Sequence, residues 1–208
     1  AGWSYGEALL VIGFFTTLDA ILKGAISPSL TTVIDQIRTG TFDFVLLKPA
    51  DAQFLVSTAR MDPWRVISLL AAGAVFAYAF HQLGRTPGIA EVSTAFAMLG
   101  AGVLTLYSVW ILVVSVAFRA VSVDNLRYLF DSVLEAGRWP SSVFKGVLSF
   151  LFTFVIPLAL MTTYPAQALL GTLSWERFVG GWAGAILFAL IARLVWTRSI
   201  ALYTSASS

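Results

Sequence analysis

Long apolar runs alternate with two kinds of polar connection along this chain. Five runs could cross a bilayer as helices, which takes about 20 mostly apolar residues: 6–27, 64–83, 93–118, 143–170 and 178–200. The connections 84–91 and 171–177 are short and begin with Gly, which is typical of turns. The connections 28–63 and 119–142 are longer and charged. The pattern predicts an all-α polytopic membrane protein with one transmembrane domain over 1–208.

The composition agrees with a protein solvated by lipid. Hydrophobic residues make up 58% of the 208 residues and charged residues 12%, whereas soluble domains carry roughly 25% charged residues. The net charge of +2 gives no reason to expect nucleic acid as a partner, so membrane lipid is the expected surrounding. The chain has no cysteine, which excludes disulfides and thiolate chemistry within it.

The positive charges predict the orientation. If the two long connections are cytoplasmic, only Arg85 and Arg177 lie outside, and the other eleven Lys and Arg residues lie at or near the inner side: Lys23, Arg38, Lys48, Arg60, Arg65, Arg119, Arg127, Arg138, Lys145, Arg193 and Arg198. Lys and Arg near span ends set topology. We therefore expect a cytoplasmic C-terminus and an external start, with one further span upstream that would make six in all. The arginines near the end of the last run are interpreted as topology anchors.

The connection 28–63 has a pattern of its own. Ser27 and Pro28 are typical of a helix start, apolar residues at helical spacing follow, and Gly40 is a natural stop. Beyond Gly40 come residues that break or cap helices, namely Pro49, Asp51 and Asp62. We expect an ordered helix–turn–helix here. The connection 119–142 instead has the pattern of an amphipathic helix at the inner interface.

Catalytic chemistry is not evident in the sequence. The single His81 lies beside Gln82 at a span end, where an interfacial hydrogen bond is favoured over a metal site. No GxxxxGK[ST] element is present, and no Ser/His/Asp or paired-carboxylate arrangement shares a face. We expect a subunit that is not an enzyme and holds no cofactor or metal.

Two features within the spans have alternative interpretations. Asp19 and Lys23 are four residues apart and can pair on one helix face; either Lys23 reaches the inner interface with Asp19 as its partner, or the pair belongs to a substrate path. Gly180 and Gly184 form a GxxxG pattern, which favours close helix packing. That packing could lie within the chain or against another subunit.

The outer part of the run 143–170 contains helix-breaking and polar residues, namely Pro157, Thr162, Thr163, Tyr164 and Pro165. Prolines eight residues apart kink or break a helix. A broken helix is tolerated at membrane depth only against protein or a wet cavity. The segment is therefore either a simple kink or a short re-entrant element at the external mouth of a translocation path.

Two motifs resemble a known family. The segment 37–49, IRTGTFDFVLLKP, is similar to a motif of bacterial ABC transporter permeases of the type 2 exporter superfamily. GRWP at 137–140, FVIP at 154–157 and YPA at 164–166 are similar to that family's second motif. The motifs occur in the family's order, and the resemblance covers nearly the whole chain.

The resemblance implies a permease subunit in the bacterial cytoplasmic membrane, with six spans and cytoplasmic termini. It implies two permease chains, identical or paralogous, and two separate ABC ATPase subunits that bind ATP and Mg²⁺. The connection 28–63 would couple to the ATPase through the residues Arg38, Gly40, Asp43, Lys48, Pro49 and Asp51. For Gly40 and Pro49, turn geometry alone is an equal explanation. The stretch 157–170 would form the external re-entrant region, and transport would be export of a substrate that the sequence does not identify.

Two other classes of protein fit the composition. A secondary transporter or channel would need no ATPase, but such proteins commonly have internal repeats and ionisable groups at mid-membrane, and neither is evident here. A membrane scaffold subunit without a transport path is the other alternative.

Overall fold

A computed structural model describes residues 3–118, Glu135, Arg138 and 159–203 of the chain. The described part is helical and contains no strand. In chain order its helices are α1 (Tyr5–Thr39), α2 (Asp43–Leu46), α3 (Ala52–Ser57), α4 (Pro63–Leu83), α5 (Ile89–Ala117), α6 (Tyr164–Leu169) and α7 (Trp175–Ala201). Helices α1, α4, α5 and α7 are each long and apolar enough to cross a membrane. The prediction of an all-α polytopic membrane protein is confirmed.

Helix α5 is the centre of the described bundle. It packs along α7 on one side, against α6 on another, and against the second half of α1, while α1 also packs along α4. The buried apolar residues form two clusters, one around Trp110 of α5 and Trp196 of α7, the other around Leu10 of α1 and Met98 of α5. Much of α4 and α7 is exposed, which leaves these helices to face lipid or another chain.

Helix α1 continues through Ser27 and Pro28, where the sequence predicts the start of a new helix. Ser27 has helical angles, and no side chain caps a helix start there. A π-helical segment, Leu22–Ile26, precedes Pro28. Proline has no N–H and cannot bond the carbonyl four residues before it, which here belongs to Gly24. The π segment accommodates the proline within one continuous helix, so the prediction of a separate capped helix at Ser27 is wrong.

The carbonyl of Gly24, which lacks its usual donor because of Pro28, has a different hydrogen-bond partner. Gly24 O accepts a hydrogen bond from the backbone N–H of Asp62, with N and O 2.7 Å apart. Buried polar backbone groups need such partners. Asp62 was predicted to cap the following helix, but its side chain makes no cap bond there. Instead, its backbone ties the end of the 28–63 connection back to α1.

Most of the predicted connection 119–142 and most of the fourth predicted run lie outside the described residues. Of the connection 119–142 only Glu135 and Arg138 are described, and these two side chains form an ion pair of 3.1 Å. Of the run 143–170 the described part is 159–170. It begins with a π-helical segment, Ala159–Thr163, and continues as α6. This part is therefore irregular helix rather than a uniform span.

Three polar side chains mark a common depth in the bundle. Lys23, Tyr107 and Arg193 each lie eighteen residues after the first residue of their helix. At about 1.5 Å per residue, that is roughly 27 Å, close to the hydrocarbon thickness of about 30 Å. We therefore expect these residues to lie near one boundary of the apolar layer. We call the end beyond them the basic end, and the opposite end, with the turns at 84–88 and 170–174, the hairpin end.

Candidate functional site

The connection between α1 and α4 begins with a glycine turn. Gly40 ends α1 with a φ of 71°, a left-handed conformation that glycine adopts without strain. This confirms the prediction of a helix stop at Gly40. The turn lets the backbone N–H of Phe42 donate to the carbonyl of Gln36, 3.1 Å away. The chain is thereby folded back so that Phe42 points into the bundle.

Phe42 is the apolar anchor of the connection. Its side chain is fully buried, and its ring lies 5.3 Å from Phe118, 6.3 Å from Trp196 and 5.7 Å from Tyr203, measured between centroids. All three contacts are edge-to-face, the favourable geometry for aromatic pairs. The connection is therefore packed onto the ends of α5 and α7 at the basic end.

The next residues face outward. Phe44 is 68% exposed and Leu47 80% exposed, and Lys48 and Pro49 beside them are also exposed. Between them, Val45 points inward and is buried. We call Phe44, Leu47, Lys48 and Pro49 the exposed face of the connection. Large exposed apolar side chains grouped with a positive charge are typical of a surface that binds another protein or a membrane.

The anchor network joins the connection to α5 and α7. It consists of Asp51, Gln53, Ser57, Tyr107 and Arg193. The guanidinium of Arg193 donates two hydrogen bonds to the carboxylate of Asp51, one from Nη1 to Oδ1 at 3.1 Å and one from Nη2 to Oδ2. Arg193 Nη1 also donates to Gln53 Oε1 at 2.9 Å. A forked pair of this kind fixes orientation as well as distance.

Gln53 extends the network to α5. Its Nε2 donates to the hydroxyl of Tyr107 at 2.9 Å, and Ser57 Oγ lies 2.7 Å from the same hydroxyl. Ser57 uses its one proton for the carbonyl of Gln53 at 2.6 Å. Tyr107 must therefore donate to Ser57 while accepting from Gln53. The donor and acceptor roles of Gln53, Ser57 and Tyr107 are therefore mutually compatible.

Asp51 has a second role in the network. Its side chain caps α3 by accepting from the backbone N–H of Phe54 at 3.0 Å, which confirms the prediction that Asp51 caps a short helix. The hydrogen bond from Arg193 holds the pKa of Asp51 below its usual value, and the Phe54 N–H lowers this pKa further. The contact is therefore present when Asp51 is ionised and is lost as the pH falls through this lowered pKa.

The Asp51–Arg193 pair is fixed in geometry but weak enough to break. Its two side chains are 46% and 47% exposed, and exposed ion pairs contribute about 0.2–1 kcal/mol. Arg193 was interpreted from the sequence as a topology anchor; it is also a hydrogen-bonded partner of the connection. Sequence reasoning missed this role, as it did those of Gln53 and Tyr107, because the partners lie far apart along the chain.

A third tie holds the end of the connection on α1. Ser29 is fully buried, and its Oγ accepts from the backbone N–H of Arg60 at 2.9 Å while donating to the Arg60 carbonyl. Together with the Asp62–Gly24 bond, this contact fixes 60–62 against α1. The connection is thus docked on α1, α5 and α7 at once.

The other residues predicted for this region lie on the surface of the same connection. Arg38 is exposed on the last turn of α1, and Asp43 is half-buried in the first turn of α2. Lys48 and Pro49 belong to the exposed face. Gly40 serves turn geometry and Asp51 the anchor network, so the candidate residues divide into a surface group and a framework group.

The predicted re-entrant residues that the structure describes lie against α5 and α1 near the hairpin end. Thr162, Thr163 and Pro165 are buried, and Pro157 lies outside the described residues. Tyr164 lines a groove of about 500 Å³ between the π-helical segment and α7, beside Arg177 and Gly180. Of the re-entrant candidates that the structure describes, Tyr164 is the one that lines an open groove.

The GxxxG pattern on α7 faces this groove. A Cβ on Gly180 or Gly184 would meet nothing within 4 Å among the described residues, whereas one on Gly181 would lie 2.8 Å from Leu160 Cδ1 and from Met98 Cε. The close approach inside the chain is thus made at Gly181. Gly180 and Gly184 leave an open strip on α7.

At the hairpin end, one arginine joins two connections. Arg85 Nη1 donates to the carbonyl of Leu170 at 3.0 Å, and Arg85 Nη2 pairs with the carboxylate of Glu91. Glu91 also accepts from the backbone N–H of Gly88 at 2.7 Å. The turn between α4 and α5 therefore holds the end of α6, which fixes the region predicted to be re-entrant.

The intramembrane pair is formed as the spacing predicts. Lys23 Nζ lies 2.8 Å from Asp19 Oδ1, and Lys23 belongs to the set of residues that marks the common depth. Both side chains are partly exposed, so this geometry fits Lys23 reaching the boundary of the apolar layer with Asp19 as its partner. Within 3–118 and 159–203, no three His, Cys, Asp or Glu side chains are grouped as metal ligands would be.

These observations define a class: a polytopic helical membrane subunit with an ordered connection docked at its basic end. The chain matches the family model of the ABC-2 family transporter protein over residues 1–207. It belongs to that family and is a multi-pass membrane protein, a permease subunit of an ABC transporter. No curated protein and no solved structure matches the chain.

Proposed function

We propose that this permease moves its substrate out of the cell, driven by ATP hydrolysis in separate ABC ATPase subunits. Members of the ABC-2 family work with ABC ATPases in general. Two ATPase subunits and a second permease chain, identical or paralogous, would complete the transporter. This chain would supply the path and no catalytic group, and ATP and Mg²⁺ would bind only to the partners.

The exposed face of the connection is the observation that carries this proposal. Phe44 and Leu47 project from a segment that Phe42 and the anchor network hold against α5 and α7. Interfaces draw most of their affinity from a few large side chains that fill pockets on the partner. Lys48 adds a positive charge that would orient an acidic surface of an ATPase. Asp43 on α2 adds a negative charge that would orient a basic group of the same partner.

The orientation follows from the charges. Of the ten Lys and Arg residues that the structure describes, seven lie at or near the basic end and two lie at the hairpin end. The tenth, Arg138, lies beside α1, with its guanidinium carbon 5.1 Å from the centroid of the Phe15 ring. By the positive-inside rule, this distribution supports a cytoplasmic basic end, where ATPase subunits and ATP are found. The C-terminus would be cytoplasmic, in a bacterial inner membrane, and the groove beside Tyr164 would open outside.

Co-purification tests the proposal. The full chain, tagged and extracted from its native membrane in mild detergent, is expected to bring down an ABC ATPase in stoichiometric amount, identified by its ATP hydrolysis. Phe44→Asp and Leu47→Asp are expected to weaken that association by about 2 kcal/mol or more each, the loss typical of an interface anchor.

Ile89→Asp provides the matched control. Ile89 is also a largely exposed apolar residue, 91% exposed, but it lies at the hairpin end. It should leave the amount of bound ATPase unchanged. Complete absence of an ATPase from the unmodified chain would contradict the proposed function, and equal loss in all three variants would contradict the assignment of the docking surface.

A further inference from the structure

The anchor network lies between the exposed face of the connection and two membrane helices. On the side of the connection it uses Asp51 and Gln53, which are two residues apart at the start of α3. On the side of the bundle it uses Arg193 of α7, 142 residues from Asp51, and Tyr107 of α5. A displacement of α3 would therefore act on both helices at the common depth.

The geometry of the pair suits transmission of a movement. Two parallel hydrogen bonds from one guanidinium to one carboxylate resist rotation as well as separation. Gln53 accepts a hydrogen bond from the same Nη1 that binds Asp51. The guanidinium of Arg193 is therefore hydrogen-bonded to two residues of the connection. A single point contact would fix a distance and leave the angle between α3 and α7 free.

The connection also contacts α7 a second time, through a different kind of contact. Trp196 lies one turn beyond Arg193 and is buried against Phe42. This apolar contact remains whatever the protonation or pairing of nearby groups. The half-exposed pair of Asp51 and Arg193 is the weaker of the two contacts with α7.

We propose that Arg193 is the positioning residue that transmits movement of the connection to α7, with Gln53 and Tyr107 forming the parallel link to α5. The proposal rests on the proposed function, in which ATPase subunits move the connection. When the fork is closed, α3 and α7 move as one body. When it is open, α3 turns about the aromatic contact and α7 does not follow.

Spin labels can test this link because the chain has no cysteine of its own. Thr58 follows α3, Thr197 lies one turn beyond Arg193 on α7, and both are exposed, so Thr58→Cys and Thr197→Cys provide a labelling pair. In the reconstituted complex with its ATPase, the distance between the labels is expected to stay narrow and unchanged between the nucleotide-free state and the state trapped with ATP and vanadate. In Arg193→Gln it is expected to broaden and to shift on trapping.

Two further variants separate this role from a purely structural one. Asp51→Asn keeps a side chain able to cap α3 but removes the charge, and it should behave like Arg193→Gln. Arg198→Gln removes an exposed charge five residues further along α7 and should behave like the unmodified chain. A narrow, nucleotide-independent distance in Arg193→Gln would overturn the inference.

The same samples distinguish failure of the inference from failure of the proposed function. If the ATPase binds and hydrolyses ATP but the labels report no difference between variants, only the role of Arg193 is overturned. If no ATPase binds the unmodified chain, the proposed function fails, and the role of Arg193 fails with it.

Discussion

At the scale of single residues, two phenylalanines of one short segment have opposite environments. Phe42 is buried among Phe118, Trp196 and Tyr203, whereas Phe44 projects from the surface. Both belong to the motif at 37–49, and the sequence alone does not distinguish them. The difference follows from the turn at Gly40, which directs Phe42 into the bundle and leaves Phe44 outside.

Replacing each phenylalanine by alanine should separate stability from binding. Phe42→Ala leaves a cavity in the aromatic cluster and is expected to cost about 3–5 kcal/mol, measured as a lower melting temperature in detergent. Phe44→Ala, the matched control, is expected to change stability by less than about 0.5 kcal/mol while reducing ATPase binding. Equal destabilisation by the two substitutions would contradict the burial of Phe42.

Local roles could be read from the sequence, but distant partnerships could not. The helix stop at Gly40 and the cap at Asp51 are decided within three residues of each side chain, so residue type and spacing were sufficient. The partner of Asp51 is Arg193, which reaches it through packing of α7 on α5. The positive charge of Arg193 was visible in the sequence, but its partner depends on the tertiary fold.

At the scale of elements, a local rule wrongly predicted one helix boundary. Proline at position 28 indicated a helix start, yet α1 continues because a π segment precedes it and Asp62 satisfies the carbonyl of Gly24. The four long helices, by contrast, follow directly from apolar runs. The length of an apolar run can be counted in the sequence. Whether a proline ends a helix depends on whether a distant donor, here the N–H of Asp62, satisfies the carbonyl that the proline leaves without its usual partner.

The contact between α5 and the irregular segment 159–163 depends on a glycine. A Cβ on Gly102 would lie 3.2 Å from the backbone Cα of Met161, and a backbone cannot move aside as a flexible side chain can. On the same helix, a Cβ on Gly100 would lie an ordinary 3.9 Å from Trp182. The absence of a side chain at Gly102 therefore allows the segment 159–163 to pack closely on α5.

The two glycines give a matched pair of substitutions. Gly100→Ala is expected to stabilise the protein by up to about 1 kcal/mol, because alanine favours a helix over glycine. Gly102→Ala gains the same preference but is expected to be destabilising overall, since overpacking costs about 1–3 kcal/mol. Melting temperatures in one detergent provide the measurement. A higher melting temperature for Gly102→Ala than for Gly100→Ala would show that the segment has room.

At the scale of the whole molecule, the two ends of the bundle are built differently. The hairpin end has short turns joined by Arg85, Glu91 and the carbonyl of Leu170. The basic end has the long connection, tied to three helices and presenting its exposed face outward. Helix α1, at about 52 Å for its 35 residues, extends well beyond an apolar layer of about 30 Å and brings the connection to that end.

This asymmetry predicts which end faces the cytoplasm. The chain has no cysteine, so Ala59→Cys and Thr86→Cys each introduce one exposed thiol, the first at the basic end and the second in the turn at the hairpin end. In intact cells, a membrane-impermeant maleimide is expected to label Thr86→Cys and not Ala59→Cys, and in inside-out vesicles the reverse. Because the exposed face and Ala59 lie at the same end, labelling of Ala59→Cys from outside would place the proposed docking surface away from ATP and contradict coupling to a cytoplasmic ATPase.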